Sequence, residues 1–492
     1  MSPDVDDPAV PSRTGPRPDA PARSRPGLTL LVVGSSAFLA SLDLFIVNIA
    51  FPVLRVDFGA NLVGLSWVLS GYTVVFAACL APAGRLADRV GRKRLFVIGV
   101  ALFAVGSAAC AAAPSVGMLV AARVVQAIGA ALVTPTGLAL LLTAFPAQRR
   151  AFAVGVWAAL GAAAGALGPP LGGLLVVASW RWVFLVNLPV CVVVLVVAPR
   201  LLRESRDASG ALPDLLGALA LLGGVGALAY ALVEAPTAGW TDGPVLAAFV
   251  VAAALFVVLA ARSRRHPAAI VDPTMLRIPT LSLSSVAMLV FSAAFAAMVF
   301  GNVMFLTGLW RDSTVVAGLE MAPGPAMVVV VAMLGSRLVQ RIGPGPTAVM
   351  GALSYATGIT VWVLRMTAEP DFATTMLPGQ LLTGLGIGLA MPALTGVVGA
   401  VLPPDRWGAG SSMVNTTRQI GMVLGTAVIV AIYDASGGPT TLTAFRHGWT
   451  FLLCCAGLTI VCGLAVARRA GRDHDAAAQR FTGPVAAAPG RA

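Results

Sequence analysis

The sequence predicts an all-α integral membrane protein: two six-helix bundles with two extra central helices, fourteen transmembrane spans in all. Three observations carry this. Hydrophobic residues make up 58% of the 492, and charged residues only 11%, against roughly 25% charged in a soluble protein. Fourteen stretches meet the requirement of about 20 mostly apolar residues for crossing a bilayer. The 32 Arg and single Lys gather in short gaps between those stretches, mostly on one side.

In chain order, residues 1–27 are rich in Pro, Arg, Asp and Ser and lack an apolar leader core and a small-residue cleavage site, so a disordered cytoplasmic tail is expected. Spans beginning near Leu28, Leu62, Leu95, Val116, Phe152 and Trp182 give an N-terminal bundle over 28–202. Two long charged gaps, Arg200 to Pro213 and Ala261 to Thr280, bracket spans beginning near Leu215 and Val245, so 203–280 is read as a linker carrying the extra pair. Spans from near Leu281, Val315, Thr347, Thr374, Gly410 and Trp449 make a C-terminal bundle over 281–469, and 470–492 is expected to be a second disordered cytoplasmic tail. The two sixes echo each other. Gly84-Arg-Leu-Ala-Asp88-Arg89-Val-Gly91-Arg92 follows the second span, and Gly335-Ser-Arg337-Leu-Val-Gln340-Arg341-Ile-Gly343 follows the second span of the later six. Repeated halves with a site between them are the common build of secondary transporters.

With the N-terminus inside, cytoplasmic segments hold 26 basic residues and outer segments 5, which places both termini in the cytoplasm of a plasma-membrane protein. The net charge of +12 is then orientation charge, and no nucleic-acid partner is implied. All six cysteines fall inside apolar runs without metal-site spacing, so they read as small buried hydrophobes. No metal and no cofactor is expected.

ATP-driven transport needs a phosphate-cradling loop ending in Gly-Lys-Ser/Thr, and the one lysine, Lys93, stands between Arg92 and Arg94. The three histidines, His266, His447 and His474, are read in loops or a tail, where they cannot support intramembrane hydrolysis. The chain is therefore not read as an enzyme. Gly384, Gly386 and Gly388 have no βαβ context, and close helix packing explains them better than a dinucleotide site.

Ionisable groups inside spans are costly and mark function. Asp43 lies about fifteen residues into the first span, ~22 Å above the cytoplasmic edge, and Arg123 lies ~10 Å below the outer edge in the fourth. In a hydrocarbon layer of ~30 Å these depths nearly coincide. A buried ion pair locking two helices is one reading; a protonation site released and re-paired during transport is the other.

The same residues sit in recognisable motifs. Leu42-Asp43-Leu-Phe-Ile-Val-Asn48-Ile-Ala-Phe-Pro52 resembles the first-helix motif of the fourteen-helix drug/proton antiporters of the major facilitator superfamily. The Gly84 to Arg94 stretch is similar to the superfamily's loop signature, and Arg123-Val-Val-Gln126-Ala-Ile-Gly129 to its fourth-helix motif, with Ala127 where Gly is usual. Gly161-Ala-Ala-Ala-Gly165-Ala-Leu-Gly168-Pro169-Pro-Leu-Gly172-Gly173 matches the fifth-helix antiporter motif at every defining position. Trp180 to Pro189 and Asn415-Thr-Thr-Arg418-Gln419-Ile-Gly421 complete the likeness.

The resemblance implies a major facilitator fold working by alternating access. The fifth-helix glycines are expected to pack helices closely across the half-to-half interface, with Pro169 bending the helix, as gate parts and not substrate ligands. Asp88 among Arg85, Arg89 and Arg92 is expected to latch the cytoplasmic side, by capping a helix N-terminus or pairing with Arg across the interface. The later copy lacks the acid.

Glu320 stands within Ala317-Gly318-Leu319-x-x-x-Pro323, at a point where the family it resembles usually has a small or aliphatic residue. About six residues below the outer edge, it either reaches outside water or pairs with Arg311, or else it is a second cavity acid that favours cationic substrates and carries a second proton. The function expected is proton-coupled export of amphipathic drugs or antibiotics by a monomer in the lipid bilayer, with protons and the small molecule as its partners. A metabolite or sugar facilitator would need more Asn, Gln and charge in its spans, and a non-transporting receptor would be favoured by a sizeable soluble domain.

Overall fold

The computed structural model describes residues 26–146, 149–206, 214–266, 269–270, 273–402 and 406–482. Among them, thirteen helices are long and apolar enough to cross a membrane. The remaining expected span, the fifth, is the helix Arg150–Ala178, whose described apolar run covers Ala163–Ala178. Helix is the form that satisfies every backbone group within one segment where water is absent.

The helices α1 (Pro26–Phe58), α2 (Leu62–Val90), α3 (Arg92–Ala111), α4 (Val116–Ala144) and α5 (Arg150–Ala178) lead through one turn, α6 (Trp182–Leu185), into α7 (Asn187–Leu201). Then come α8 (Leu215–Ala238), α9 (Gly243–Ser263) and a short α10 (Pro273–Leu276). The later set is α11 (Pro279–Met304), α12 (Thr314–Glu320), α13 (Pro323–Ile342), α14 (Pro344–Arg365), α15 (Leu377–Val401), α16 (Trp407–Ala435) and α17 (Leu442–Thr482). Starts are set by polar caps. Asn61, Ser115, Asp214 and Ser313 each accept from the backbone N–H three residues on, at 2.8, 3.3, 2.9 and 3.3 Å.

Three departures from the sequence reading have local causes. The tenth span is broken: α12 ends at Glu320, and Pro323 and Pro325 open α13 because proline suits the first helical turn and cannot continue the previous one. The last helix begins at Leu442, not Trp449, since Thr441 Oγ1 accepts from Ala444 N at 3.3 Å and caps it; His447 is therefore helical. It also runs past Arg469 to Thr482, so 470–482 is helical and not a disordered tail; its Ala, Arg and Gln residues favour helix. The expected N-terminal tail lies outside the described residues up to position 25, as do 483–492.

Within the first set α1 packs on α5, α2 on α4 and α3 on α4; within the later set α11 packs on α16 and α17, and α15 on α13 and α14. The sets meet through α2 with α16 and through α5 with α12 and α13. These are the second helix of one half against the fifth of the other, twice over, as two-fold related halves require. The α8–α9 hairpin lies beside this seam, α8 touching both α2 and α16.

The echoed loop has a backbone basis. Gly91 and Gly343 stand at equivalent places between consecutive helices, with φ of +124° and +86°, a region that L side chains avoid.

Candidate functional site

A fully buried polar network joins α1, α2, α3, α4 and α7. Arg123 Nη1 donates to Asp43 Oδ2 and, at 2.7 Å, to Gln126 Oε1, while its Nε donates to Val68 O at 3.2 Å. Gln126 Nε2 donates to Asp43 Oδ1 and to Ser107 Oγ, both at 2.8 Å. Asn187 Nδ2 donates to the same two acceptors at 3.3 Å, and the Tyr72 ring lies 4.0 Å from the guanidinium carbon. Arg123 and Gln126, three apart on α4, share the face turned to α1. Gly106 and Gly129 make this possible by letting α3 and α4 touch backbones: a Cβ at Gly106 would stand 2.6 Å from Gln126 N.

The depth match of Asp43 and Arg123 is thus a direct ion pair, with both side chains 0% exposed. Removing two charges from water costs several kcal/mol per ion, and the carboxylate offsets this with donors from Arg123, Gln126 and Asn187. Arg123 Nη2 and Asn187 Oδ1 have no partner among the described residues. Sequence reasoning found Asp43, Arg123 and Gln126 but gave no role to Ser107, Tyr72 or Asn187; uncharged side chains carry little depth penalty and so leave no signal.

A cavity of about 420 Å³ lies between the halves. Its α1 lining runs from Ala37 to Phe45, about the middle of that helix, and its later-half lining takes in Asn302, Met321, Gly324 and Gln380, so it lies near mid-depth. Phe45, Phe76, Trp157 and Phe295 supply apolar wall; Gln380, Arg418 and Gln419 supply polar groups from the later half. Asn415 lies one turn before Arg418 on α16. A smaller cavity of about 40 Å³ shares Leu44, Phe45 and Phe295 with the large one and reaches Asn48 and Arg123. Asn48 Nδ2 donates to Leu44 O at 2.7 Å, and Pro52, four residues on, cannot donate to the Asn48 carbonyl.

The fifth-helix motif divides into three parts. Gly161, Gly165 and Pro169 line the cavity. Gly168 and Gly172 pack within their own half on Phe45, Ile46 and Ile49 of α1. Only Gly173 presses on the other half, where its Cβ would stand 2.5 Å from Thr314 O; reciprocally, a Cβ at Gly318 would stand 2.5 Å from Pro169 O. This seam borders the cavity on the side toward the C-terminal end of α5. Gly384 and Gly386 pack their helix against Gly324 and Gly351 backbone, as expected from their spacing.

Asp88 does not bridge the halves here. It accepts from Arg92 Nε at 3.0 Å and Nη2 at 2.8 Å, one turn away and partly exposed; Arg89 is exposed and Gly84 packs on Pro135. The cap expected of Asp88 is made by Glu204, whose carboxylate accepts from Lys93 N at 3.0 Å and Arg94 N at 3.2 Å and fills the space a Gly91 Cβ would need. No sequence periodicity joins residues 110 apart.

Glu320 does not line the cavity. Its carboxyl meets that of Asp312, which precedes α12 while Glu320 ends it, and Asp312 Oδ2 and Glu320 Oε2 have no hydrogen-bond partner among the described residues. Burial raises the Asp312 carboxyl above its usual range, and the hydrogen bond from Glu320 opposes that rise. Of the expected alternatives, pairing with Arg311 and a place in the cavity wall give way to a carboxyl pair, while the partly exposed side chain still reaches water.

Comparison with known proteins places these features. The Major Facilitator Superfamily model matches residues 33–328 and 313–489. The chain is 35% identical to the multidrug resistance protein Stp of Mycobacterium tuberculosis over 83% of its own length and 76% of that protein's. It is 33% identical to the methylenomycin A resistance protein of Bacillus subtilis, covering 84% and 89% of the two chains. It is also 33% identical to the tetracenomycin C resistance and export protein of Streptomyces glaucescens, covering 85% and 78%.

Proposed function

Because the chain belongs to the Major Facilitator Superfamily, we propose that it exports amphipathic drugs or antibiotics across the plasma membrane in exchange for protons, by alternating access. The observation that carries this reading is the Asp43–Arg123 pair, buried in one half yet reached by a small cavity that adjoins the large one between the halves. The relatives named for drug resistance and export support it.

Asp43 acts as the proton carrier. A proton on its carboxyl removes the charge that holds Arg123, and a guanidinium left alone at that depth is costly. Gln126 Oε1 and Val68 O keep two of its donors occupied, and the small cavity admits water to the rest. With both termini cytoplasmic, the Gly173–Gly318 seam closes the outer side of the cavity, which fits the state that loads substrate from the cytoplasm. The protein works as a monomer, each chain holding a complete cavity between its two halves, and the antiporter motif positions α5 at both the cavity and the seam.

The test is a susceptibility panel in an efflux-deficient host, repeated with an uncoupler, alongside proton release from everted vesicles on addition of an exported drug. Resistance with Asp43→Asn equal to the parent, or export indifferent to the uncoupler, overturns the proton role.

A further inference from the structure

We infer that the central cavity is built for amphipathic organic anions, held through a carboxylate, phenolate or similar oxygen by Arg418 and Gln419 of α16 and Gln380 of α15. The inference rests on the exporter reading and names its substrate class. Three facts about the wall lead to it.

First, its charge has one sign. Arg418 lines the large cavity and Arg123, its charge balanced by Asp43, borders the adjoining one, while no Asp or Glu lines either among the described residues. Asp43 is turned away into its own network, and Glu320 is occupied with Asp312. Second, the polar atoms are unspent. Gln380 and Gln419 are 3% and 1% exposed, yet among the described residues neither the Nε2 nor the Oε1 of either has a partner, and Arg418 Nε and Trp157 Nε1 also have none. Buried polar groups are ordinarily hydrogen-bonded, so four such side chains around one cavity indicate bonds completed by an occupant or by water that it displaces. Third, the balance favours donors. Arg and Trp donate only, and the two carboxamides donate as well as accept, so the complementary molecule is rich in acceptor oxygens. Phe45, Phe76 and Phe295 provide flat apolar surface for its ring system.

A cation in this space would meet the field of Arg418 with no carboxylate to offset it. The sign of the wall therefore excludes the cationic preference that a cavity-facing Glu320 would have given.

The experiment compares two dyes of one scaffold and nearly one size, the xanthenes fluorescein (anionic) and rhodamine 123 (cationic), by fluorescence anisotropy with the purified full chain in nanodiscs. Expected is binding of fluorescein at least about tenfold tighter than rhodamine 123 at low salt, since one unbalanced charge contact in a dry site is worth that much. Arg418→Gln should weaken fluorescein about tenfold and leave rhodamine 123 unchanged or improved, and Arg418→Lys should recover part of the loss. Gln380→Leu, which keeps the charge, should weaken fluorescein with the preference for anions intact. Equal binding of the two dyes, tighter binding of the cation, binding of neither, or an Arg418→Gln variant that folds and loses both alike overturns the assignment. Export of rhodamine 123 by cells together with a cation-preferring cavity would sink this inference and leave the exporter standing; anion binding without export in cells would do the reverse.

Discussion

Gly173→Ala should loosen the outer seam, and the structure sets the size of the effect. The new Cβ would stand 2.5 Å from Thr314 O and 3.1 Å from Val315 Cα. Both are backbone atoms of α12, so no side chain can swing aside, and α5 and α12 must part by roughly 1 Å to restore ordinary contact. Overpacking of this kind costs about 1–3 kcal/mol. The cost falls only on the state in which the seam is shut, so the closed-to-open ratio drops by about 5–150-fold. Gly318→Ala meets Pro169 O at the same 2.5 Å and should act alike, while the two together should cost less than their sum because one separation relieves both. Gly99→Ala is the control: its Cβ would meet Leu132 Cβ at 2.8 Å between α3 and α4 of one half, so it lowers stability without moving the seam. Spin labels at Val177 on α5 and Val316 on α12, in a background without the native cysteines, report the separation by pulsed electron resonance. A Gly173→Ala distance distribution that superimposes on the parent's, or a Gly99→Ala distribution equally displaced, would refute the assignment of the seam to this glycine pair.

Asp43→Asn strands a buried guanidinium and should cost about 3–5 kcal/mol, read as a lowered thermal midpoint in detergent; adding Arg123→Gln should restore most of it, and a double variant no more stable than the single would deny the pair its coupling. Asp88→Asn breaks a partly exposed pair worth about 0–1 kcal/mol, so stability should hold while cross-linking between the cytoplasmic ends of the halves falls; unchanged cross-linking reduces that loop to orientation charge. Asp312→Asn should raise the thermal midpoint near pH 7.5 and not at pH 4: the folded carboxyl titrates above its unfolded value, so the native state loses stability as pH rises beyond the unfolded pKa, and a gain independent of pH would contradict this. Reporter fusions at Asp207 and His266 should read cytoplasmic and one at Gly239 external, and an inside signal at Gly239 would remove the proposed orientation.

What the sequence makes legible is whatever lipid makes expensive. Apolar runs and the placement of Arg mark the spans because a charge in hydrocarbon costs so much, and the same cost makes Asp43 and Arg123 stand out and pairs them by depth. Effects that cost little leave no such trace. The break between Glu320 and Pro323 turns on two prolines inside a run that stays apolar throughout. Glu204 caps α3 across a sequence separation that no periodicity spans. Gln380 and Trp157 are neutral, and only their unpaired atoms beside a cavity single them out. The fifth-helix motif was visible as a row of small residues, but which of them face the cavity, their own half or the opposite half depends on the rotation of α5, which spacing alone leaves open.

That rotation matters for coupling, because α1 carries both parts of the proposed cycle on consecutive residues. Asp43 points into the polar network, while Leu44 and Phe45 line both cavities. Phe45 is also what Gly165 and Gly168 of α5 rest against, its ring 3.4 Å from the site of a Gly165 Cβ. A molecule filling the cavity therefore presses on the residue that separates the ion pair from α5, and through α5 on the seam at Gly173. Packed interiors yield by discrete rearrangement and not by gradual deformation, so displacement of Phe45 changes the register of α1 against α5 and with it the bond from Arg123 to Asp43. In the proposed cycle, proton and substrate need no shared atom to exclude one another, since they share one turn of α1. Phe45→Ala is accordingly expected to leave Asp43 and Arg123 paired and drug binding weakened only modestly, while proton release on adding drug to everted vesicles is lost. Full proton release in that variant would mean that the coupling runs through another helix.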